Sequence, residues 1–380
     1  MTGVVDALGD GWVAGVVVLQ DGPLVSALRG AGRRVAVVPA PRGRGLPGAA
    51  LRLRRALLAL DADVVHANGI KAALLCVLAG PGCGRILWMK HDTTGDVRLS
   101  RLVALGCADV VGVSRTVMAP FARRRRRAGV VRNGIPERTV DRATGRARVL
   151  AALGLGGPDD AADGAGEDPR HDAGGEAAPE VLVLVGRIAL GKGQLELVAA
   201  LPRIVARRPT VRVLLVGPSD PAFPGLDEEI LRAAEVTGVG DRVVLTGHRS
   251  DAVELIAGGD VLVAPSVRDP GGWREGFGLA VAEAMQAGTP VVAYDSGSLS
   301  EVLGDAGEIV PEGDRDGLAD AVVALLEDLD RRAALAARGR RRVRDEFPAS
   351  ASIDGLRARY LHLANPRRRR RRRPTEQDQT

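Results

Sequence analysis

Val181-Leu182-Val183-Leu184-Val185, followed at once by Gly186-Arg187-Ile188-Ala189-Leu190-Gly191-Lys192-Gly193, is the stretch that decides the fold class. Five consecutive aliphatic residues that run straight into a glycine-rich turn read as a strand covered on both faces, the pattern of a parallel sheet. The same unit repeats toward the C-terminus, with aliphatic runs at 211–216, 243–245, 261–264, 291–293 and 308–310 and helical stretches between them. From 316 to 363 the chain reads as largely helical, broken at Pro348.

Toward the N-terminus the alternation stops and then resumes. Residues 154–179 are Gly, Ala, Asp and Glu with almost no large apolar side chain, so they cannot bury enough surface to offset their ordering entropy. Beyond them, strands are predicted at 15–19, 34–38, 63–67, 85–89, 109–113 and 130–132, with amphipathic stretches such as 51–60 between. Strands alternating with helices mean crossover units and a parallel sheet. The expectation is an α/β chain with a first domain over 1–150, a flexible linker over 151–180 and a second domain over 181–347. A C-terminal helix over 348–365, crossing back to the first domain, and a disordered arginine-rich tail over 366–380 complete it. Two doubly wound, Rossmann-like domains would face each other across a cleft, with ligands at the C-terminal ends of the strands.

Composition narrows the class. The chain has 380 residues, 46% of them hydrophobic and only 2% aromatic, so two cores must be built from Val, Leu and Ala. Its formal charge of +6 includes seven arginines at 367–373; without that run the balance is −1. The basic pI therefore describes a tail and not a nucleic-acid-binding domain. The run reads as a solvated segment or as an electrostatic contact with anionic lipid or nucleic acid. No specific nucleic-acid module accompanies it. A second run, at 123–127, reads either as a solvated loop or as a peripheral contact with anionic membrane or a phosphorylated acceptor. Three cysteines, Cys76, Cys83 and Cys107, make no disulfide framework and fit a reducing cytoplasm. No signal peptide or membrane-spanning stretch is read.

The turn from Gly186 to Gly193 nearly matches a nucleotide-hydrolysing P-loop, but the residue after Lys192 is Gly193 where Ser or Thr would ligate magnesium. What remains is either a diphosphate site without a metal, with Arg187 as a planar fork of donors and Lys192 as a compact charge, or a basic strand-to-helix turn. The segment Glu275-Gly276-Phe277-Gly278-Leu279-Ala280-Val281-Ala282-Glu283-Ala284-Met285 separates these. Gly276 and Gly278 place Glu275 in a loop and start a helix near Gly278, with Leu279, Ala282 and Met285 facing the core. The helix start offers free amides to a phosphate. Glu275 can accept from sugar hydroxyls, and Glu283 can grip a ribose diol.

These residues together resemble the retaining glycosyltransferases of family 4, which have the GT-B fold and belong to the group 1 glycosyl transferases. The match is carried by Gly186-Arg187 to Lys192-Gly193, Asp260-Val261 to Pro265-Ser266, Glu275 to Glu283, Gly288-Thr289-Pro290-Val291-Val292, Glu301-Val302 and Gly313-Asp314. It is looser at His91-Asp92, Val113-Ser114 and Asn133-Gly134-Ile135.

The resemblance implies transfer of a sugar from a UDP- or GDP-sugar to an acceptor of unspecified kind, with retention, without a metal or other cofactor. The catalytic set it implies is Arg187 and Lys192 on the donor diphosphate, Glu275 on the transferred sugar and His91 on the same sugar from the first domain. For His91, a satisfied histidine at a strand end is the alternative. Gly186, Phe277, Gly278 and Leu279 would line sugar and phosphate, Glu283 the ribose, and His248 and Arg249 the nucleobase. No residue stands out as a covalent nucleophile, so a front-face route is expected. Family members usually open with a strand, a glycine-rich loop and a helix; Met1 to Gly9 show no such unit, and the segment from Val13 to Pro39 matches the family's second crossover. A catalytically weak or inactive nucleotide-sugar-binding chain is accordingly the alternative function.

Overall fold

The computed structural model describes residues 2–40, 45–93, 97–124, 128–155 and 178–364. The linker expected over 151–180 lies mostly outside the described residues, and the tail over 366–380 wholly so. So do Arg125–Arg127, and nothing is described of the side chains of Arg123 and Arg124.

The chain forms two compact units. Of the described residues, the first comprises 2–40, 45–91, 97–124, 128–134 and 350–364; the second comprises 92–93, 135–155 and 178–349. In the first, strands β1 (Val16–Val18) and β2 (Val35–Val37) make one parallel pair. Strands β3 (Val64–Asn68), β4 (Arg85–Lys90), β5 (Asp109–Gly112) and β6 (Ala128–Val130) make a separate parallel sheet in that order. Around them lie α1 (Thr2–Leu8), α2 (Pro23–Gly30), α3 (Leu46–Leu60), α4 (Ile70–Ala79), α5 (Val97–Gly106) and the short α6 (Arg115–Met118). Helix α3 forms because Ala49, Ala50, Leu53 and Leu57 recur on one face and are buried. One apolar cluster, including Val38, Leu53, Ala67, Trp88 and Phe121, underlies both sheets. The three cysteines are buried and form no disulfide, and burial followed by nearby Cys83 pushes the Cys76 thiol up to about 12.

The second unit begins with α7 (Arg142–Ala152), then β7 (Val181–Val185), α8 (Gln194–Arg207), β8 (Arg212–Val216), α9 (Leu226–Val236) and β9 (Val243–Leu245). It continues with α10 (Ala252–Gly258), β10 (Val261–Ala264), α11 (Leu279–Ala287), β11 (Val291–Tyr294), α12 (Leu299–Leu303), β12 (Glu308–Val310), α13 (Arg315–Glu327) and α14 (Leu329–Glu346). All six strands form one parallel sheet in the order β12-β11-β10-β7-β8-β9. This is the doubly wound order, and chain direction through the sheet reverses between β7 and β10. The last helix, α15 (Ala349–Ala364), lies from Ser350 onward with the first unit, where Arg359 donates to Asp109 at 2.8 Å.

Two details differ from the expectation. The division between units falls at Gly134–Ile135 and not near residue 150, because α7 packs on α10. Gly145 and Gly258 let those helices touch backbone to backbone, since a Cβ at Gly145 would stand 2.6 Å from the Glu254 carbonyl oxygen. Arg146, nearly buried there, pairs with Asp260 at 3.0 Å. The strand expected at 130–132 instead spans Ala128–Val130, where the ladder bonds to β5 are made.

Candidate functional site

The turns after β7 and β10 meet at the point where the strand order reverses. Gly193 has φ +77°, and a Cβ on it would lie 1.8 Å from the Pro265 carbonyl oxygen. Only glycine fits there, which explains why the P-loop hydroxyl is absent: a Ser or Thr has no room. Val267 N donates to the Gly191 carbonyl at 3.0 Å, a second tie between the two turns. Helix α8 leaves from Gly193, and the buried Gln194 amide donates to the Arg187 carbonyl at 2.9 Å, fixing the turn from inside.

Lys192 folds back over this turn, so that a Cβ on Gly186 would be 3.3 Å from Lys192 Cδ. Its ammonium donates to Glu275 Oε2 at 2.5 Å and lies 4.9 Å from the centroid of the Trp273 ring. Both partners of the ion pair are largely covered, at 20% and 14% side-chain exposure, so the pair is poorly screened. Arg187, whose side chain is 59% exposed, donates to Asp220. The nearly buried Asp220 is itself anchored, accepting from Ala222 N at 3.0 Å.

Glu275 is held by its backbone. Its carbonyl accepts from Ser298 N at 3.0 Å and from Ser298 Oγ at 3.2 Å. Phe277 is buried and meets Phe347 edge to face at 5.4 Å. Gly278, at φ +84°, is the N-cap of α11, so the first amides of that helix open beside Glu275. Glu283 lies one turn further along the helix. Burial raises its carboxyl pKa against the opposing pull of Arg138. Leu279 is a correction: its side chain is 48% exposed and not in the core. The buried face of α11 is Val281, Ala282, Ala284 and Met285, which puts Leu279 and Glu283, four apart, on the opposite stripe.

The turn after β9 reaches the same strand ends, with Gly217 N donating to the Gly247 carbonyl at 2.9 Å. His248 is exposed there. Arg249 is engaged, donating twice to Asp251 at 2.8 and 2.7 Å and holding that carboxyl near 2. The second unit thus brings together Gly186, Lys192, Glu275 and Gly278, flanked by Arg187, Phe277, Leu279 and Glu283. His91 belongs to the first unit, at the end of β4, where its Nε2 bonds Asn68 Oδ1. The sequence reading missed Asp220 and Trp273. The signal for Trp273 was its rarity: one of three tryptophans, placed two residues before Glu275.

The site therefore joins a basic glycine turn and an acid-Gly-Phe-Gly helix start on one parallel, doubly wound sheet. Residues 179–328 match the family model described as Glycosyl transferases group 1. A phosphatidyl-myo-inositol mannosyltransferase of Mycolicibacterium smegmatis is 42% identical over 156 residues, 40% of this chain and 37% of that protein. A GDP-mannose-dependent monoacylated alpha-(1-6)-phosphatidylinositol monomannoside mannosyltransferase of Corynebacterium glutamicum is 34% identical over 191 residues, 49% of this chain and 48% of that protein. The chain thus spans about half or less of the curated relatives it matches. Among solved structures, Anabaena HepE in complex with UDP and glucose superposes with a TM-score of 0.74 at 20% identity, covering 91% of both chains. Sucrose-phosphate synthase from Thermosynechococcus elongatus superposes at 0.68 with 22% identity, covering 94% of this chain and 97% of that one. These likenesses show the fold, which is GT-B. Among the described residues no helix is long and apolar enough to cross a membrane.

Proposed function

We propose that this chain is a retaining glycosyltransferase that moves a sugar from a nucleotide diphosphate sugar to an acceptor without needing a divalent metal. The observation that carries the reading is the Lys192–Glu275 contact over the Gly186 turn, at the reversal point of the sheet. The pair sets a cation suited to a diphosphate beside a carboxylate suited to sugar hydroxyls, which supports the reading. Arg187 and Lys192 supply the positive charge that a departing diphosphate needs. The α11 N-terminus adds amides, and Glu283 suits the ribose diol. His91 is assigned to the donor sugar. His248 is assigned to the nucleobase side, with Arg249 bracing that turn through Asp251. The relatives with mannosyltransferase names make GDP-mannose the first donor to try, with UDP-glucose second because a fold neighbour carries UDP and glucose.

In the front-face route assigned to the site, the departing phosphate oxygen takes the acceptor proton as the new bond forms on the face the phosphate leaves. The protein mainly positions the groups and stabilises charge. The deciding experiment is donor hydrolysis and transfer by the purified chain and its Arg187→Ala variant, in chelator, with GDP- and UDP-sugars. Release of nucleoside diphosphate that falls by roughly a hundredfold or more in the variant supports the reading. Binding without turnover would favour a nucleotide-sugar-binding chain, and a sugar covalently linked to an aspartate or glutamate would overturn the front-face route.

A further inference from the structure

The loop between β10 and Glu275 is built to hold one aromatic ring. Asp269 accepts from Trp273 N at 2.7 Å and returns its own N–H to the Trp273 carbonyl at 3.1 Å. Gly272 N donates to the Asp269 carbonyl at 2.9 Å, closing the turn. Glu312, from the loop after β12, accepts from Arg268 N at 2.7 Å and pairs with the Arg274 guanidinium at 3.5 Å. Both sides of the loop are therefore fastened to one carboxylate. The ring lies so close on the buried Gly191 that a Cβ there would stand 2.3 Å from a Trp273 ring atom. Lys192 Nζ sits 4.9 Å from the ring centroid and 2.5 Å from Glu275 Oε2.

The ammonium is thus shared by two partners of different kinds. The ring is rigidly mounted and uncharged, and its face attracts the cation whatever else binds. The carboxylate is charged and sits on a backbone held by Ser298, with rotatable bonds between that backbone and the charge. A diphosphate that takes Lys192 brings a second anion onto the same ammonium, a few ångströms from Glu275, and like charges at that range repel.

We propose that Lys192 changes partner while Trp273 holds it in place: the donor diphosphate displaces the Glu275 carboxylate from the ammonium, and the displaced carboxylate takes the hydroxyls of the sugar. This deepens the reading above and rests on it. Trp273 is a positioning residue, acting through Lys192. A nucleoside diphosphate alone pays for displacing Glu275 without offering it a new partner, whereas the intact nucleotide sugar supplies that partner. The site therefore favours donor over spent nucleotide.

The test is calorimetric titration of the full chain with GDP, UDP and the matching nucleotide sugars, in wild type, Glu275→Gln, Trp273→Phe and Trp273→Ala. In Glu275→Gln the nucleoside diphosphate tightens, roughly threefold to tenfold, while the nucleotide sugar does not. Trp273→Ala weakens both ligands by roughly threefold to tenfold, and Trp273→Phe restores most of the loss. On a Lys192→Met background most of the gain from Glu275→Gln disappears. Nucleoside diphosphate binding that is unchanged or weaker in Glu275→Gln overturns the exchange. An equal gain with and without Lys192 also overturns it, by reducing it to general repulsion. If Trp273→Ala folds poorly, Trp273→Leu takes its place, and a Leu variant that binds both ligands like wild type removes the role given to the ring. Wild type that binds neither nucleotide nor sugar overturns the glycosyltransferase reading itself, an outcome distinct from the others.

Discussion

The two units use the same crossover unit and reach different sheets. In the second, six strands run without a break, and β7 bonds to β8 on one side and β10 on the other. Chain direction reverses at that strand, and the turns that follow β7 and β10 meet there, tied by the Val267–Gly191 hydrogen bond. Lys192 comes from one of those turns and Glu275 from the loop after the other. In the first unit the order is β1-β2 and, separately, β3-β4-β5-β6. Among the described residues no strand bonds to both sets, so no reversal occurs within a single ladder. The halves share an apolar cluster instead. The lesson is that a doubly wound site depends on one strand with two neighbours of opposite progression, and that a common core can join two sheets without creating such a strand.

The comparison breaks most visibly at the junction of the turns. Gly193→Ala forces a Cβ to within 1.8 Å of the Pro265 carbonyl oxygen in a left-handed conformation. Loss of more than about 4 kcal/mol is expected, enough to abolish the native second unit. The control is Gly32→Ala in the first unit, at φ +73° with open space around it, where only the backbone cost of about 1 kcal/mol applies. Thermal melts of the two variants check the contrast; similar melting temperatures would mean the turns are not packed as described.

Packing depth sharpens it next. Leu214, at the centre of β8, is fully buried between β7 and β9, and Leu214→Ala is expected to cost about 3 kcal/mol. Val17, at the centre of β1, is only half-buried with one ladder partner, and Val17→Ala should cost about 1 kcal/mol. Denaturant titration of both variants tests the difference, and equal losses would show that the paired sheet is as well packed as the continuous one.

The same contrast governs what could be read from sequence. The run at 181–185 was legible to the residue because a strand buried on both faces leaves an unbroken aliphatic signature. The strand at 128–130 was read two residues late because Ala128 and Gly129 carry almost no side-chain signal. Along α11, spacing alone admitted 279, 282 and 285 as a core face. Val281 and Ala284 broke the tie in the structure, since Leu279 sits at the mouth of the helix beside Gly278. The ion-pair partners were legible as residue types but not as partners, because Lys192 and Glu275 are 83 positions apart. Trp273 and Asp220 escaped for a related reason. Each acts through a loop whose path is set by capping bonds, to Asp269 and Ala222, and such bonds have no periodicity to detect.

Acid distinguishes the units most gently. His66, on β3, is half-buried, and the Tyr360 hydroxyl lies 2.6 Å from its Nδ1. Desolvation, aided by nearby His91, lowers its pKa from 6.5 to about 4. Between those values the unfolded chain takes up a proton that the folded chain refuses, so stability is full above about pH 6.5 and declines as pH falls toward 4. The shift corresponds to about 3 kcal/mol at most, and to about 2 for a ring that solvent still reaches. Asp251 in the second unit responds in the same direction but in a lower window: held near 2 by Arg249, it gives up its contribution only as pH falls below about 4. From pH 7 to 4.5 the first unit should therefore loosen while Asp251 leaves the second unaffected. Hydrogen exchange resolved by peptide, corrected for intrinsic rates, would show protection falling first in β3 and β4. His66→Gln should flatten that dependence. An unaltered slope in the variant would exclude His66 as its source, and earlier loss in β7 and β8 would reverse the comparison between the units.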